Sequence, residues 1–287
     1  MSKQSKIKEA LMTSFSALFK QMFVQKRRYA HLVLLVQTFA VIFMFLMDLI
    51  TSNNFAKGFL LFAQNSHPKF CDIIFALGII TTAIGDLVFL GLLCWQNEKI
   101  NLSQTWHLIP VSDIKLWWIN ILTSMVQCAY IFVIQVVLGI IVLIFDCMSY
   151  GLSFSTMNKK VGFSWSWPDV MGVIEMLLYL IGLVLIIFCF VSFADLLTRT
   201  ITDQLPGKNS TVIKIFVMAI LVIIGVTIAF KINDQLTAAY MRHLMKNSNG
   251  YSVDTLPMAI IEFFAGSIIL GAINSFLIEK FVEPKIR

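Results

Sequence analysis

The chain has 287 residues, of which 58% are hydrophobic and only 13% are charged. Soluble globular proteins are about 45–50% apolar and about 25% charged, so this composition leaves too little polar surface to solvate a folded body in water. It excludes a disordered chain, a secreted disulfide scaffold and a nucleic-acid-binding protein, although the net charge is +6. The sequence therefore predicts an integral membrane protein.

Residues 1–30 are predicted to form an amphipathic interfacial helix. Residues 1–28 hold seven Lys and Arg residues against a single acid, Glu9. The lysines fall largely outside an apolar stripe with helical spacing. The stripe consists of Ile7, Leu11, Phe15, Leu18 and Met22. Such a helix would contact anionic lipid in the inner headgroup layer and turn at Arg27–Arg28 into the first span. A plain topology signal is the other interpretation, but it leaves the stripe unexplained.

Six segments are apolar over the roughly 20 residues that a helix needs to cross the hydrocarbon core. They are residues 31–50, 71–95, 116–145, 168–196, 212–231 and 257–279. Because alternating strand patterns are absent, the predicted fold class is an all-α six-helix transmembrane bundle, with one domain over 31–287. A further apolar stripe in 232–256 predicts an amphipathic helix at the outer surface.

The distribution of basic residues predicts the orientation. Six crossings place both termini on one side, which carries 15 of the 22 Lys and Arg residues. The positive-inside rule makes that side cytoplasmic, and the N-terminal arm supplies most of the difference. We therefore expect a multi-pass protein of the bacterial cytoplasmic membrane with both termini inside. The tryptophans indicate the span boundaries and not the direction: Trp95, Trp117 and Trp118 are expected to mark one membrane interface, and Trp165 and Trp167 the other.

No catalytic or metal-binding pattern stands out in the sequence. The four histidines are scattered, and neither His-Glu-x-x-His nor Gly-x-Ser-x-Gly is present. The stretch Gly207-Lys208-Asn209-Ser210 resembles the end of a phosphate-binding loop, but Thr202 stands where that loop needs its first glycine. We expect no enzyme, cofactor or metal site in this chain, so any energy from ATP has to come through a partner.

Three carboxyl groups fall within predicted spans and are the candidate substrate path. Asp86 lies near the middle of the second span, where a carboxylate is costly unless it is protonated, paired or facing water. Either a hydrogen bond to a neighbouring helix or a substrate-path role would account for it. Glu175 and Glu262 lie below the outer ends of the fourth and sixth spans. They would face a shared outer vestibule or reach headgroup water.

Small residues in the last span predict close helix packing. Gly266 and Ser267 are followed by Gly271, which lies four residues after Ser267 and completes a small-xxx-small face. Such a face suits either a neighbouring helix of the same chain or a second copy.

The connection between the second and third spans contains the most specific pattern. Ser103 can cap a short helix that carries Trp106, His107 and Leu108, and that Pro110 interrupts. Ser112 can cap the next helix. The connection would present an apolar docking surface to the cytoplasm, or it would fold back onto the bilayer with Trp106 as its anchor.

At these residues the chain resembles the permeases of ABC-2-type transporters. The matching pieces are Glu98 after the second span, the short helix, and the turn Leu108-Ile109-Pro110-Val111-Ser112. The six spans and the two amphipathic segments are similar as well. Asn101-Leu102-Ser103 replaces the Gly-Thr that often follows the glutamate, a variant similar to permeases of peptide or bacteriocin export and immunity.

The resemblance implies a coupling helix at about 103–109 that docks into a separate ATPase subunit, which would hold ATP and Mg²⁺. The implied coupling residues are Glu98, Ser103, Trp106, His107, Leu108, Pro110 and Ser112. A second permease half, identical or different, would complete an exporter of amphipathic peptides, drugs or lipids. Two alternatives stay open: an ion-coupled secondary transporter that uses Asp86, and a membrane sensor or immunity protein that transports nothing.

Overall fold

A computed structural model describes residues 3–50, 70–109, 111–149, 151, 167–203, 210–245 and 256–281. These residues form seven helices and no strand. The helices are α1 (Lys3–Ile50), α2 (Phe70–Asn101), α3 (Gln104–His107), α4 (Asp113–Ser149), α5 (Trp167–Asp203), α6 (Ser210–Met245) and α7 (Leu256–Phe281).

All described helices except α3 are long and apolar enough to cross a membrane. This confirms the predicted all-α class and gives six helices with the length and composition that a span needs. Helices α4 and α5 have 37 residues each, which corresponds to about 55 Å at 1.5 Å per residue. They therefore exceed the roughly 30 Å of the hydrocarbon core by a wide margin.

Helix α1 is continuous, and the turn predicted at Arg27–Arg28 is absent. The segment contains neither glycine nor proline, the residues that most often break a helix, and a pair of charges does not interrupt the backbone hydrogen bonds. Leu18 and Met22 of the predicted stripe are buried in the protein, and Lys26 is buried on the same face. The expected separation of lysines from the stripe is therefore wrong at Lys26.

The separate outer helix predicted from residue 232 is also not observed. Residues 232–245 are helical, but they continue α6 without a break. No proline lies between Ser210 and Met245 to end the helix earlier. Residues 246–255, the rest of that prediction, lie outside the described part of the chain.

The chain divides into two compact units. Unit 1 comprises Met1–Leu93 and Val126–Asp169, and unit 2 comprises Cys94–Met125 and Val170–Arg287. In unit 1, α1 packs on α2 through Met44 and Phe45, which contact the buried Ile73 and Leu77. Further along, α1 packs on α4, where Phe23 meets Tyr130 edge to face and Gln127 Nε2 donates to the Phe23 carbonyl at 2.9 Å.

In unit 2, small residues bring α7 close to α5 and α4. A Cβ at Gly266 would lie 2.8 Å from Ile186 of α5, and one at Gly271 would lie 3.1 Å from the Trp118 ring of α4. Ser267 is buried, and its hydroxyl donates to the Phe263 carbonyl of its own helix at 2.7 Å. The small residues of the last span thus lie at helix contacts inside this chain.

Candidate functional site

A cavity of about 580 Å³ lies between α1, α2 and α4 of unit 1. Most of the described residues in its wall are aliphatic or aromatic, and five of them have polar side chains. These are Gln37 and Thr38 of α1, Thr82 and Asp86 of α2, and Gln135 of α4. The cavity therefore combines a large apolar volume with a compact polar side, the usual composition of a small-molecule site.

Four of these side chains form one hydrogen-bonded cluster. Gln135 Nε2 donates to Asp86 Oδ1 at 2.8 Å and to Gln37 Oε1 at 3.2 Å. Gln37 Nε2 in turn donates to Thr82 Oγ1 at 2.6 Å. Each of the three helices contributes, so the cluster links them where lipid supplies no hydrogen-bond partner. We call these four residues the polar cluster.

Asp86, which the sequence identified, thus has the predicted hydrogen bond to a neighbouring helix, and its substrate-path role stays a prediction. It accepts a hydrogen bond from a neighbouring helix, and it lines a cavity. Gln37, Thr82 and Gln135 were not predicted from the sequence. The available signal was weak: two glutamines within long apolar runs, and the four-residue spacing of Thr82 and Asp86, which puts both on one helix face.

The other two candidate carboxyl groups belong to unit 2. Glu175 on α5 and Glu262 on α7 are both half-buried. The two helices are in contact at this level, because the rings of Tyr179 and Phe263 lie 5.3 Å apart. The shared vestibule expected for the two glutamates remains a prediction.

The carboxyl group of Glu98 lies inside unit 2. Its Oε2 atom is buried, and the group interacts with Ser192, Asp195 and Arg199 of α5. Arg199 Nε pairs with Asp195 Oδ2 at 2.5 Å, one helical turn away. Two acidic groups thus share the neighbourhood of one guanidinium, and Glu98 joins the end of α2 to α5.

A set of amides joins the same end of α2 to α4. Asn120 Nδ2 donates to the Asn97 carbonyl at 2.9 Å and to Asn101 Oδ1 at 2.8 Å. Ser124 Oγ donates to Asn97 Oδ1 at 2.7 Å. All four residues are buried. These buried hydrogen bonds hold the end of α2, which the short helix follows, against α4.

The short helix α3 follows at Gln104–His107. The side chain of Trp106 in this helix is buried, and that of Leu108 just after it is exposed. The Ser103 carbonyl accepts a hydrogen bond from the Trp106 backbone N–H at 3.1 Å. Trp106 is 9% exposed, whereas Leu108 is 83% exposed. The exposed Ser112 lies at the start of α4, where its carbonyl accepts a bond from the Leu116 N–H at 3.0 Å. Pro110 and the side chain of His107 lie outside the description.

Of the proposed coupling residues, the structure therefore directs Glu98 and Trp106 inward and Leu108 outward. Within the described ranges, no group of three His, Cys, Asp or Glu side chains is arranged to hold a metal ion. No protein-family model, curated protein or solved structure matches the chain.

Proposed function

We propose that this chain is the membrane permease subunit of an ATP-driven exporter of the ABC-2 type, located in the bacterial cytoplasmic membrane with both termini inside. ATP and Mg²⁺ would bind to a separate ATPase subunit, and a second permease half, identical or different, would complete the transporter. In this proposal the chain is not itself an enzyme and binds no cofactor.

The observation that carries the proposal is the construction of the connection between α2 and α4. It lies between two helices of membrane-spanning length and contains a short helix, with Leu108 83% exposed. The buried bonds of Asn120 and Ser124 hold the preceding end of α2. A connection that joins two spans suits docking to another protein, because force applied there would act on both spans.

Co-purification tests this proposal. The tagged full-length chain would be extracted from its native membrane in mild detergent, and the associated proteins would be identified and assayed for ATP hydrolysis. We expect an ATPase subunit to co-purify and Leu108→Asp to lose it. Leu87→Asn provides a control, because Leu87 is 72% exposed in the middle of α2 and would face lipid. A folded, monodisperse chain without any ATPase would contradict the proposal.

The cavity favours a second candidate function, an ion-coupled secondary transporter. Of the described residues that line it, Asp86 alone has a carboxyl group, and its partner Gln135 lies on another helix. A carboxyl group there would act by binding and releasing a proton or Na⁺. Transport driven by an ion gradient in vesicles without ATP, and abolished by Asp86→Asn, would favour this function. Transport that needs ATP and survives a collapsed gradient would exclude it.

A further inference from the structure

We propose that the cavity of unit 1 binds a lipophilic amine, with the apolar body of the ligand between α1, α2 and α4 and its ammonium group at Asp86 and Gln135. The inference deepens the proposed function by naming a cargo class. It rests on that function only in treating the bound molecule as cargo, because binding itself needs no ATPase.

The size and wall of the cavity fit the apolar body. A volume of about 580 Å³ falls within the roughly 300–1,000 Å³ of typical small-molecule sites. Gly78 and Gly139 both line it, and a Cβ built on either would meet no atom of the described residues within 4 Å beyond the nearby backbone of its own helix. The backbones of α2 and α4 thus leave room along the apolar part of the wall, where a hydrocarbon chain or ring system would lie.

The polar cluster has more unused hydrogen-bond acceptors than unused donors. Both protons of Gln135 Nε2 are directed to oxygen atoms of Asp86 and Gln37, and Gln37 Nε2 already donates to Thr82. Gln135 Oε1, by contrast, is buried and accepts no hydrogen bond. Asp86 Oδ1 accepts one bond, and a carboxylate has capacity for more. An ammonium group, which has three donors and no acceptor, complements this arrangement.

Charge leads to the same class of ligand. Among the described residues that line the cavity there is no Lys, Arg or His. A carboxylate among apolar groups is costly unless a cation pairs with it, and a bound ammonium would be that cation. An anionic head would be repelled by Asp86. A lipid acyl chain would fill the apolar part but leave Gln135 Oε1 without a donor.

Photolabelling of the purified full-length chain in neutral-lipid nanodiscs tests the inference. The probe is dodecylamine with a diazirine in its chain, and the matched control probe is its N-acetyl derivative, which has the same tail and no charge. Labelled peptides are mapped by mass spectrometry. We expect the amine to label α1, α2 and α4 around the cavity at about tenfold lower concentration than the amide, because charge-assisted hydrogen bonds are about twice as strong as neutral ones.

Two pairs of variants locate the site. Asp86→Asn should remove the advantage of the amine over the amide, whereas Glu175→Gln, a half-buried carboxyl group of unit 2, should preserve it. Gly139→Leu should reduce labelling by both probes, since it fills the cavity. Gly172→Leu should not, because Gly172 is exposed on α5 and does not line the cavity. Size-exclusion profiles would verify that each variant is folded.

Equal labelling by amine and amide, or an advantage of the amine that survives Asp86→Asn, would overturn the inference and leave the cavity as a site for lipid chains alone. Labelling that Gly139→Leu does not reduce would also overturn it. The permease proposal can fail separately. If the chain binds the amine but no ATPase co-purifies, the amine site is supported and the permease proposal is contradicted. If an ATPase co-purifies but the chain shows no preference for the amine, the permease proposal is supported and the amine site is contradicted.

Discussion

Trp117 Nε1 donates a hydrogen bond of 2.9 Å to Ser192 Oγ, and both side chains are buried. The Ser192 hydroxyl also interacts with the carboxyl group of Glu98. Ser192 of α5 therefore links the Trp117 indole of α4 to the Glu98 carboxyl group of α2. Trp117 is therefore part of the interior of unit 2, where its ring N–H has a buried acceptor. Its predicted position at the membrane interface stays a prediction.

We expect Trp117→Phe to lower the free energy of unfolding in detergent by about 2 kcal/mol, from the lost hydrogen bond and the smaller ring. Thermal unfolding monitored by circular dichroism would measure the change. Ser192→Ala removes the same bond with little change in volume, so the double variant should lose less than the sum of the single losses. Trp167→Phe, at a 71% exposed site, should change little. Strictly additive losses would show that the hydrogen bond contributes nothing.

The close approach of α5 and α7 gives a second prediction. A Cβ at Gly182 would lie 3.1 Å from Phe263 Cβ, an atom fixed to the backbone of α7. Gly182→Val should therefore force the helices apart and destabilise the protein by about 2 kcal/mol, despite the better helix propensity of valine. Gly172→Val on the same helix is the matched control, since a Cβ there meets nothing within 4 Å. Equal stability of the two variants would contradict close packing at Gly182.

The spans were predictable because crossing a bilayer sets a length and a composition that each segment must meet by itself. The ends of the helices were less predictable than the spans. Arg27 and Arg28 indicated a turn, yet charge alone does not end a helix, and α1 continues to Ile50. The outer stripe after residue 232 was correctly helical up to Met245, but nothing local decides whether such a segment starts a new helix or extends the previous one.

The candidate site was only partly predictable for a related reason. Asp86 stood out because a carboxyl group in a span is costly whatever its neighbours are. Threonines give no such signal: Thr81 donates to the Leu77 carbonyl of its own helix, while the adjacent Thr82 accepts from Gln37 of another helix. Which of the two points at a partner depends on how α1 rotates against α2, and this is set by packing between helices.

The shared guanidinium in unit 2 gives a third prediction. Arg199 pairs with Asp195 and also lies near Glu98. Arg199→Gln should destabilise unit 2 by about 2 kcal/mol, because it leaves two neighbouring acidic groups without that cation. Adding Glu98→Gln should recover part of the loss, since it removes one of the two acids. Chemical unfolding of the single and double variants measures the coupling. A double variant less stable than Arg199→Gln alone would show that Glu98 and Asp195 do not repel each other.

The contrast between Trp106 and Leu108 gives the last prediction. Trp106→Ala should cost about 3 kcal/mol, because it removes a buried aromatic ring of α3, whereas Leu108→Ala should change stability by less than about 0.5 kcal/mol. Thermal unfolding of the two variants, followed by the co-purification assay on each, measures both effects. If the Leu108→Ala chain is folded and loses the ATPase, the loss is due to weaker docking. Loss of the ATPase by Trp106→Ala would not show this, because that substitution also disturbs the buried contacts of α3. Equal destabilisation by the two substitutions would contradict the burial of Trp106 and the exposure of Leu108. Loss of the ATPase by Leu108→Ala could then result from unfolding and would not identify a docking surface.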